Sequence, residues 1–174
     1  IETIKKDIEL NFDNPSQTIS IDKTGTLVSN IVLVLKLNDT PDPTVEWGYV
    51  NKIGHAIINN LRATLDGSII SEFNSQWLEI YHLLFGNLSH ESNYFKMIGN
   101  TTEMKSFKNT HGSYDLFIPL ELWNSKTSSS SLPIFLLESE TFQLEIELNQ
   151  AIDCINYKGT IQPTNLPIIE ESYL

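Results

Sequence analysis

Apolar and polar residues alternate without a fault along Thr141-Phe142-Gln143-Leu144-Glu145-Ile146-Glu147-Leu148-Asn149. Successive side chains of a β-strand point to opposite faces, so a period of two predicts a strand with one buried face and one solvated face. The same alternation occurs in residues 7–13, and Ile19 and Ile21 continue it beyond the break at Asn14-Pro15-Ser16. These patterns predict a chain built mainly from β-strands.

Further strands are predicted between these segments. Residues 31–35 are apolar on both faces, so we expect them to lie between layers or under another element. Residues 61–65 alternate into Asp66-Gly67, a strong two-residue hairpin signal, and the apolar pair at residues 69–70 follows it. Residues 114–120, residues 133–138 and a last stretch within residues 166–174 are also predicted strands.

One segment, residues 74–86, interrupts the strand pattern. Its apolar residues at helical spacing are Trp77, Ile80, Tyr81 and Leu84. Asn74 or Ser75 is suited to begin a helix and Gly86 to end it, so we predict a short inserted helix with Trp77 packed in the core. Residues 92–98 are a second helical candidate, and residues 99–112 and 128–131 are predicted loops.

The number of short strands indicates a β-sandwich or barrel in a single domain spanning residues 1–174. Strand number alone does not separate a jelly roll from an immunoglobulin-like topology. The Cys…Trp…Cys frame of immunoglobulin domains is absent, because Cys154 is the only cysteine. As a lone cysteine, Cys154 is interpreted as a small buried apolar residue of a protein folded in a reducing compartment.

Charge and hydropathy restrict the partners. The chain has 22 acidic and 11 basic residues, a formal net charge of -11, and Arg62 is its only arginine. Nucleic-acid binding depends on lysine and arginine neutralising phosphates, so we expect no direct contact with nucleic acid. The longest dense apolar run, residues 31–37, already contains Lys36 and is far shorter than a membrane-spanning helix, so no membrane insertion is expected.

The sequence encodes no recognisable catalytic, cofactor or metal site. The four histidines are His55, His82, His90 and His111. No two of them have the His-x-His or His-x3-His spacing that places two imidazoles on one metal. A Gly-x-Ser-x-Gly nucleophile motif and a glycine-rich phosphate loop are also missing. Glu145 and Glu147 share one strand face and are interpreted as a solvated outer surface, not as an acid/base pair. We therefore predict a protein that is not an enzyme, with no catalytic residue, no cofactor-binding residue and no metal ligand.

Aromatic residues leave a binding role open. Trp77 is assigned to the core, Trp123 to packing where a strand leaves the sheet, and Trp47 is left unassigned between a core residue and a sugar-stacking residue. Three triplets match the N-glycosylation pattern and are treated as unproven loop features, beginning at Asn38, Asn87 and Asn100.

Three blocks occur in a fixed order. The first joins residues 51–58 and 61–70 to the helix at residues 77–85. The second is Leu116-Phe117-Ile118-Pro119-Leu120-Glu121-Leu122-Trp123-Asn124 followed by Leu132-Pro133-Ile134-Phe135-Leu136-Leu137, and the third is the alternating strand at residues 142–148. In this order they resemble the N-terminal jelly roll of the double-jelly-roll major capsid proteins of large nucleocytoplasmic DNA viruses.

The chain departs from the family pattern at two places. Asp66-Gly67 stands where the family often has Gly-Gly, and residues 125–131 are serine-rich where the family often has Asn, Pro and Gly. The family's second jelly roll is also not contained in these 174 residues. Since residues 167–174 are still strand-like, we expect the polypeptide to continue beyond Leu174.

The resemblance implies an eight-stranded antiparallel jelly-roll sandwich, with a short inserted helix and long loops, as the N-terminal half of a structural capsid protein. It implies homotrimeric, pseudo-hexagonal capsomers that contact neighbouring capsomers or minor capsid proteins in an icosahedral virion, after assembly in the host cytoplasm. The alternative is a carbohydrate- or receptor-binding jelly-roll module of a viral spike or lectin type. A binding module should present a concave aromatic or acidic patch, whereas a capsid half should present an exposed apolar face.

Overall fold

Two four-stranded antiparallel sheets face each other in the computed structural model, which describes residues 2–23, 25, 27–41, 45–86, 88–125, 128–137 and 140–174. The strands are β1 (Asp7–Ile8), β2 (Ser16–Ser20), β3 (Val32–Leu37), β4 (Thr40–Pro41), β5 (Trp47–Tyr49), β6 (Ile58–Leu65), β7 (Ser68–Phe73), β8 (Thr110–His111), β9 (Tyr114–Pro119), β10 (Phe142–Leu148), β11 (Ile155–Tyr157) and β12 (Ile169–Tyr173). The α-helices are α1 (Ile53–Ala56), α2 (Ser75–Phe85), α3 (Glu91–Met97) and α4 (Thr102–Lys105). Single 3-10 turns lie at Leu88–His90, Trp123–Ser125, Ser128–Ser130, Ile134–Leu136 and Ala151–Cys154.

The strand order identifies the sandwich as a jelly roll. One sheet has the order β1-β12-β3-β9 and the other has the order β2-β10-β6-β7. The pairs β1–β12, β2–β10, β3–β9 and β6–β7 are therefore nested in the sequence, as in one long hairpin that has been rolled up. The jelly-roll prediction is confirmed, and β4, β5, β8 and β11 are additional short strands that the sequence patterns did not indicate.

The alternating strand at residues 142–148 lies where its pattern predicted. In β10, Phe142, Leu144 and Ile146 point into the core, and Leu144 is paired with Ile19 of β2 and Ala63 of β6. The core cluster unites buried residues of both sheets. A one-residue slip of β10 would turn its apolar side chains to solvent, so this burial fixes the register.

The hairpin and the inserted helix also form as predicted. Asp66 and Gly67 both have positive φ, 47° and 77°, as a tight turn between β6 and β7 requires. The side chain of Asn74 accepts a hydrogen bond from the backbone N–H of Trp77 at 3.1 Å and begins α2, which ends before Gly86. The second helical candidate is α3.

The three long connections at residues 38–57, 74–113 and 149–168 meet at one end of the sandwich. They are tied together by two ribbons, β4 paired with β8 and β5 paired with β11. The four α-helices lie in the first two of these connections. This end, which we call the helical end, therefore carries most of the structure added to the eight sandwich strands.

Three predictions from the sequence are corrected or settled here. The strand predicted at residues 133–138 is wrong, because the chain forms a 3-10 turn at Ile134–Leu136; residues 138 and 139 lie outside the described ranges. Pro133 has no backbone N–H to donate to a ladder, and only the isolated Val28–Leu132 bridge precedes it. Part of the predicted 99–112 loop is ordered as α4 and β8. Trp47 is completely buried beside His111, at a ring distance of 4.2 Å, so it is a core residue.

Candidate assembly surface

Helix α2 packs on the sandwich with the side opposite to the predicted one. Leu78 is 1% exposed and is the only buried residue of the helix. Trp77 is 42% exposed, which contradicts its assignment to the core, and Ile80 and Leu84 also face solvent. We call the exposed apolar side the α2 ridge; it consists of Trp77, Ile80, Leu83 and Leu84.

The inward side of α2 is held by polar residues. Glu79 forms an ion pair with Lys52, which immediately precedes α1. The second carboxylate oxygen of Glu79 lies 3.3 Å from Nδ1 of His55, a residue of α1 that is 3% exposed. The helix therefore turns its only carboxylate toward the domain, where a lysine and a histidine bind it.

Helix α3 completes this polar contact. Nε2 of His55 lies 2.8 Å from the hydroxyl of Tyr94 in α3. The ring of His82 in α2 stacks on the ring of Tyr94 at 4.4 Å with an interplanar angle of 6°. Three helices from two separate connections thus meet in one cluster, which we call the helix junction; its members are Lys52, His55, Glu79, His82 and Tyr94.

Burial sets the protonation states in the helix junction. Desolvation lowers the pKa of His55 from 6.5 to about 4, although Glu79 acts in the opposite direction. Desolvation also opposes ionisation of Glu79, but hydrogen bonds from Lys52 and His55 outweigh it and lower the pKa of this carboxyl group. At neutral pH the junction accordingly contains a neutral His55 and an ionised Glu79.

At the spacing of neighbouring histidines, the sequence indicates no metal-ligand partner for His55. The structure instead places it in α1, and its partners are 24 and 39 residues away in the sequence. The side chain of His82 is 9% exposed and lies against Tyr94, 12 residues further along the chain. No local pattern in the sequence indicates contacts at these separations.

The remaining candidate chemical groups are dispersed. In the described parts of the chain, no three His, Cys, Asp or Glu residues are grouped closely enough to hold a metal ion. Cys154 is completely buried, and burial raises the pKa of its thiol to about 12, in agreement with its interpretation as an apolar core residue.

On the outer face of the second sheet, Arg62 donates hydrogen bonds to Glu72 at 2.8 Å and Glu145 at 2.9 Å. Glu145 and its exposed neighbour Glu147 thus belong to a solvated face, as predicted.

One cleft in the described part of the chain runs along β1 and β12. Its polar lining includes Glu9, Glu170 and Glu171, and none of its nine lining residues is aromatic. Sugar-binding sites use aromatic faces for stacking. All three tryptophans lie away from this cleft: Trp47 is in the core, Trp77 is on the α2 ridge, and Trp123 is half-buried, with its ring 5.9 Å from the ring of Phe142. The cleft does not resemble a carbohydrate site.

The comparison with protein families is decisive for the classification. A family model described as "Major capsid protein N-terminus" matches residues 1–173. The chain belongs to this family. Its jelly roll is thus the N-terminal fold of a capsid protein family, as the three ordered sequence blocks indicated.

Individual relatives agree with this membership. Capsid protein 1 of Acanthamoeba polyphaga mimivirus is 26% identical over 162 residues, which are 83% of this chain and 27% of the relative. A chain in the quasi-atomic structure of the PBCV-1 virus capsid matches with a TM-score of 0.76 and 16% identity, over 98% of this chain and 40% of the other. The Faustovirus major capsid protein matches with a TM-score of 0.70 and 9% identity, over 83% of this chain and 41% of the other. The chain thus spans between about a quarter and two fifths of the length of these proteins.

No helix within the described residues combines the length and the apolar character that a bilayer-spanning segment requires.

Proposed function

We propose that this chain is the N-terminal jelly roll of a major capsid protein and acts as a structural unit of an icosahedral virus shell, with no catalytic activity. The family match over residues 1–173 is the observation that carries the proposal. In this proposal residues 1–174 are one domain, a second jelly roll follows on the same polypeptide, and three polypeptides form a pseudo-hexagonal capsomer. Capsomers then contact one another and minor capsid proteins in the virion, after assembly in the host cytoplasm.

The physical properties of the domain suit this role. A sandwich with one continuous core is rigid, and its long connections can form contacts without disturbing that core. A net charge of -11 keeps free subunits soluble before assembly and disfavours direct contact with the genome. The exposed apolar α2 ridge is a feature of a subunit that is covered on assembly.

The alternative, a carbohydrate- or receptor-binding module, is less well supported. It requires a concave aromatic or acidic patch on a domain that works alone. The β1–β12 cleft is acidic but has no aromatic lining, so it meets only part of this requirement, whereas the family match over residues 1–173 is to capsid proteins.

The oligomeric state tests the proposal. The protein, purified at its full encoded length, should sediment as a trimer in analytical ultracentrifugation and show a pseudo-hexagonal outline by electron microscopy. A particle that stays monomeric at all concentrations and binds defined glycans on an array would contradict the shell role and support the binding module.

A further inference from the structure

Three buried polar atoms lie in one aromatic cluster at the helical end of the sandwich. They are Nε1 of Trp47, the hydroxyl of Tyr49 and Nδ1 of His111, on side chains of residues that are at most 1% exposed. Within the part of the chain that the structure describes, none of the three atoms has a hydrogen-bond partner. Burying a polar atom without a partner is costly, so three such atoms in one place favour a bound molecule that completes their hydrogen bonds.

The rings that carry these atoms are neighbours. Trp47 and Tyr49 are separated by one residue in β5, so their side chains leave the same face of this strand. The centre of the His111 ring lies 4.2 Å from that of Trp47 and 5.4 Å from that of Tyr49, and the Trp47 and Tyr49 rings are 5.0 Å apart. A water molecule with two hydrogen bonds of about 2.9 Å joins atoms about 5 Å apart, so rings at these separations are close enough to share one.

The main chain fixes which atoms of the cluster donate. Nε2 of His111 lies 2.8 Å from the carbonyl oxygen of Trp47, which can only accept, so Nε2 carries the proton and Nδ1 keeps a free lone pair. Burial lowers the pKa of His111, so its ring is neutral at neutral pH, and burial raises the pKa of Tyr49, so its hydroxyl stays protonated. The cluster therefore offers one donor on Trp47, one acceptor on His111, and the Tyr49 hydroxyl, which can be either.

This combination restricts the ligand. A cation would meet the N–H of Trp47, and an anion would face the lone pair of His111. The ligand must therefore be uncharged, small enough to lie among buried rings, and able both to accept and to donate. Water meets all three conditions, and internal waters typically form about three hydrogen bonds to buried polar groups.

We propose that Trp47, Tyr49 and His111 bind one internal water molecule. This water accepts a hydrogen bond from Nε1 of Trp47, donates one to Nδ1 of His111 and forms its third with the Tyr49 hydroxyl. Because β5 is paired with β11 and β8 is paired with β4, the water joins the two ribbons that tie the long connections together. It thereby adds to the direct hydrogen bond between His111 and the main chain of β5.

The first test is a crystal structure of the protein at its full encoded length, at a resolution that shows ordered water. The expected result is a solvent peak within hydrogen-bond distance of both Nε1 of Trp47 and Nδ1 of His111. A direct hydrogen bond between these two atoms, a protein atom in the place of the peak, or well-ordered rings with no peak between them would each overturn the proposal.

The second test asks whether the Tyr49 hydroxyl has a partner. Tyr49→Phe removes only this hydroxyl. The matched control is Tyr114→Phe, which removes the hydroxyl of a ring 6.0 Å away whose exposed contact is a 3.5 Å hydrogen bond to Glu103. Hydrogen exchange in peptides of β5 and β8, measured by mass spectrometry on the full-length protein, reports how often this region opens. Exchange should be ~5-fold faster in Tyr49→Phe and change less than ~2-fold in Tyr114→Phe.

The sign of the change separates a bound hydroxyl from an unpaired one. If the Tyr49 hydroxyl is bound to water, its removal takes away a hydrogen bond, and the region opens more often. If the hydroxyl is unpaired, Tyr49→Phe removes a buried polar group that destabilises the fold, and exchange becomes slower. Slower or unchanged exchange in Tyr49→Phe would therefore contradict the proposal, as would equal acceleration in Tyr49→Phe and Tyr114→Phe.

Discussion

Leu78 and Trp77 are neighbours in α2, but they contribute differently to the fold. Leu78 is buried in the core cluster, whereas the Trp77 ring is partly exposed and lies 6.2 Å from the ring of Tyr81. The larger side chain thus belongs to the surface, and the smaller one attaches the helix.

Truncation should reveal this difference. Leu78→Ala should lower the free energy of unfolding by about 2–5 kcal/mol, because it leaves a cavity in the core. Trp77→Ala should lower it by less than about 1.5 kcal/mol, because much of this side chain is already in contact with water. Urea titrations of both variants measure these values. Equal losses would mean that Trp77 is packed as deeply as Leu78, contrary to the structure.

His55 links stability to pH. Its pKa is about 4 in the folded state, whereas an exposed histidine in the unfolded chain has a pKa of 6.5, so the unfolded chain binds the proton first as the pH falls. The free energy of unfolding is unaffected by this group above pH 6.5 and should fall by about 3 kcal/mol as the pH decreases from 6.5 to 4. The groups facing His55 are Glu79 and His82 from α2, Tyr94 from α3, and Lys52.

The variant His55→Gln isolates this contribution. Burial also lowers the pKa of His82 and His111, so the wild-type pH slope is shared by three histidines. Urea titrations between about pH 7 and about pH 5 should show a shallower slope in the variant than in the wild type. If the free energy of unfolding had the same pH dependence in both proteins, protonation of His55 would not contribute to it.

Glycines allow a tight turn and a close approach between secondary-structure elements at two positions of the fold. Gly67 has a φ of 77° in the β6–β7 turn, and a β-carbon added there would meet no atom within 4 Å. Gly99 has a similar φ of 73° after α3, but an added β-carbon would lie 2.6 Å from Ile53 and 2.7 Å from Leu116. The two glycines share a left-handed backbone conformation that would strain any other residue, and they differ in the space around them.

Alanine substitutions separate these two effects. Gly67→Ala should lower the free energy of unfolding by about 1 kcal/mol, through left-handed strain alone. Gly99→Ala should lower it by about 2–4 kcal/mol, because the added methyl group also overpacks the contact between α1 and β9. Thermal or urea unfolding measures both variants. If the two losses were the same, the close approach at Gly99 would have no energetic consequence.

These 174 residues combine strong acidity with the apolar α2 ridge. Their net charge of -11 opposes the close approach of two copies of this jelly roll, and salt screens this repulsion, reducing the Debye length to about 10 Å at 0.1 M. An apolar contact is not weakened by this screening.

Self-association should therefore tighten when NaCl is raised from about 0.05 M to about 0.3 M. Sedimentation velocity over a concentration series at each salt level gives the dissociation constants. An interface built from opposite charges would show the reverse dependence, with weaker association at higher salt, and that result would exclude an apolar surface as the main contact.

Much of this fold was predictable from local signals. The period of two along residues 141–149, the Asp66-Gly67 turn and the Asn74 cap each act within a few residues, so the sequence alone determined β10, the β6–β7 hairpin and the bounds of α2. The jelly-roll order was inferred from the succession of three blocks that resemble the capsid family.

The side of α2 that faces the domain was decided only by the tertiary structure. Helical spacing shows that Trp77, Ile80 and Leu84 share one side, but it does not show which side meets the core. That choice depended on Lys52 and His55, which lie more than 20 residues away and bind Glu79, and on Tyr94, which stacks with His82. Because these partners satisfy the polar side of the helix inside the domain, the apolar side is left on the surface.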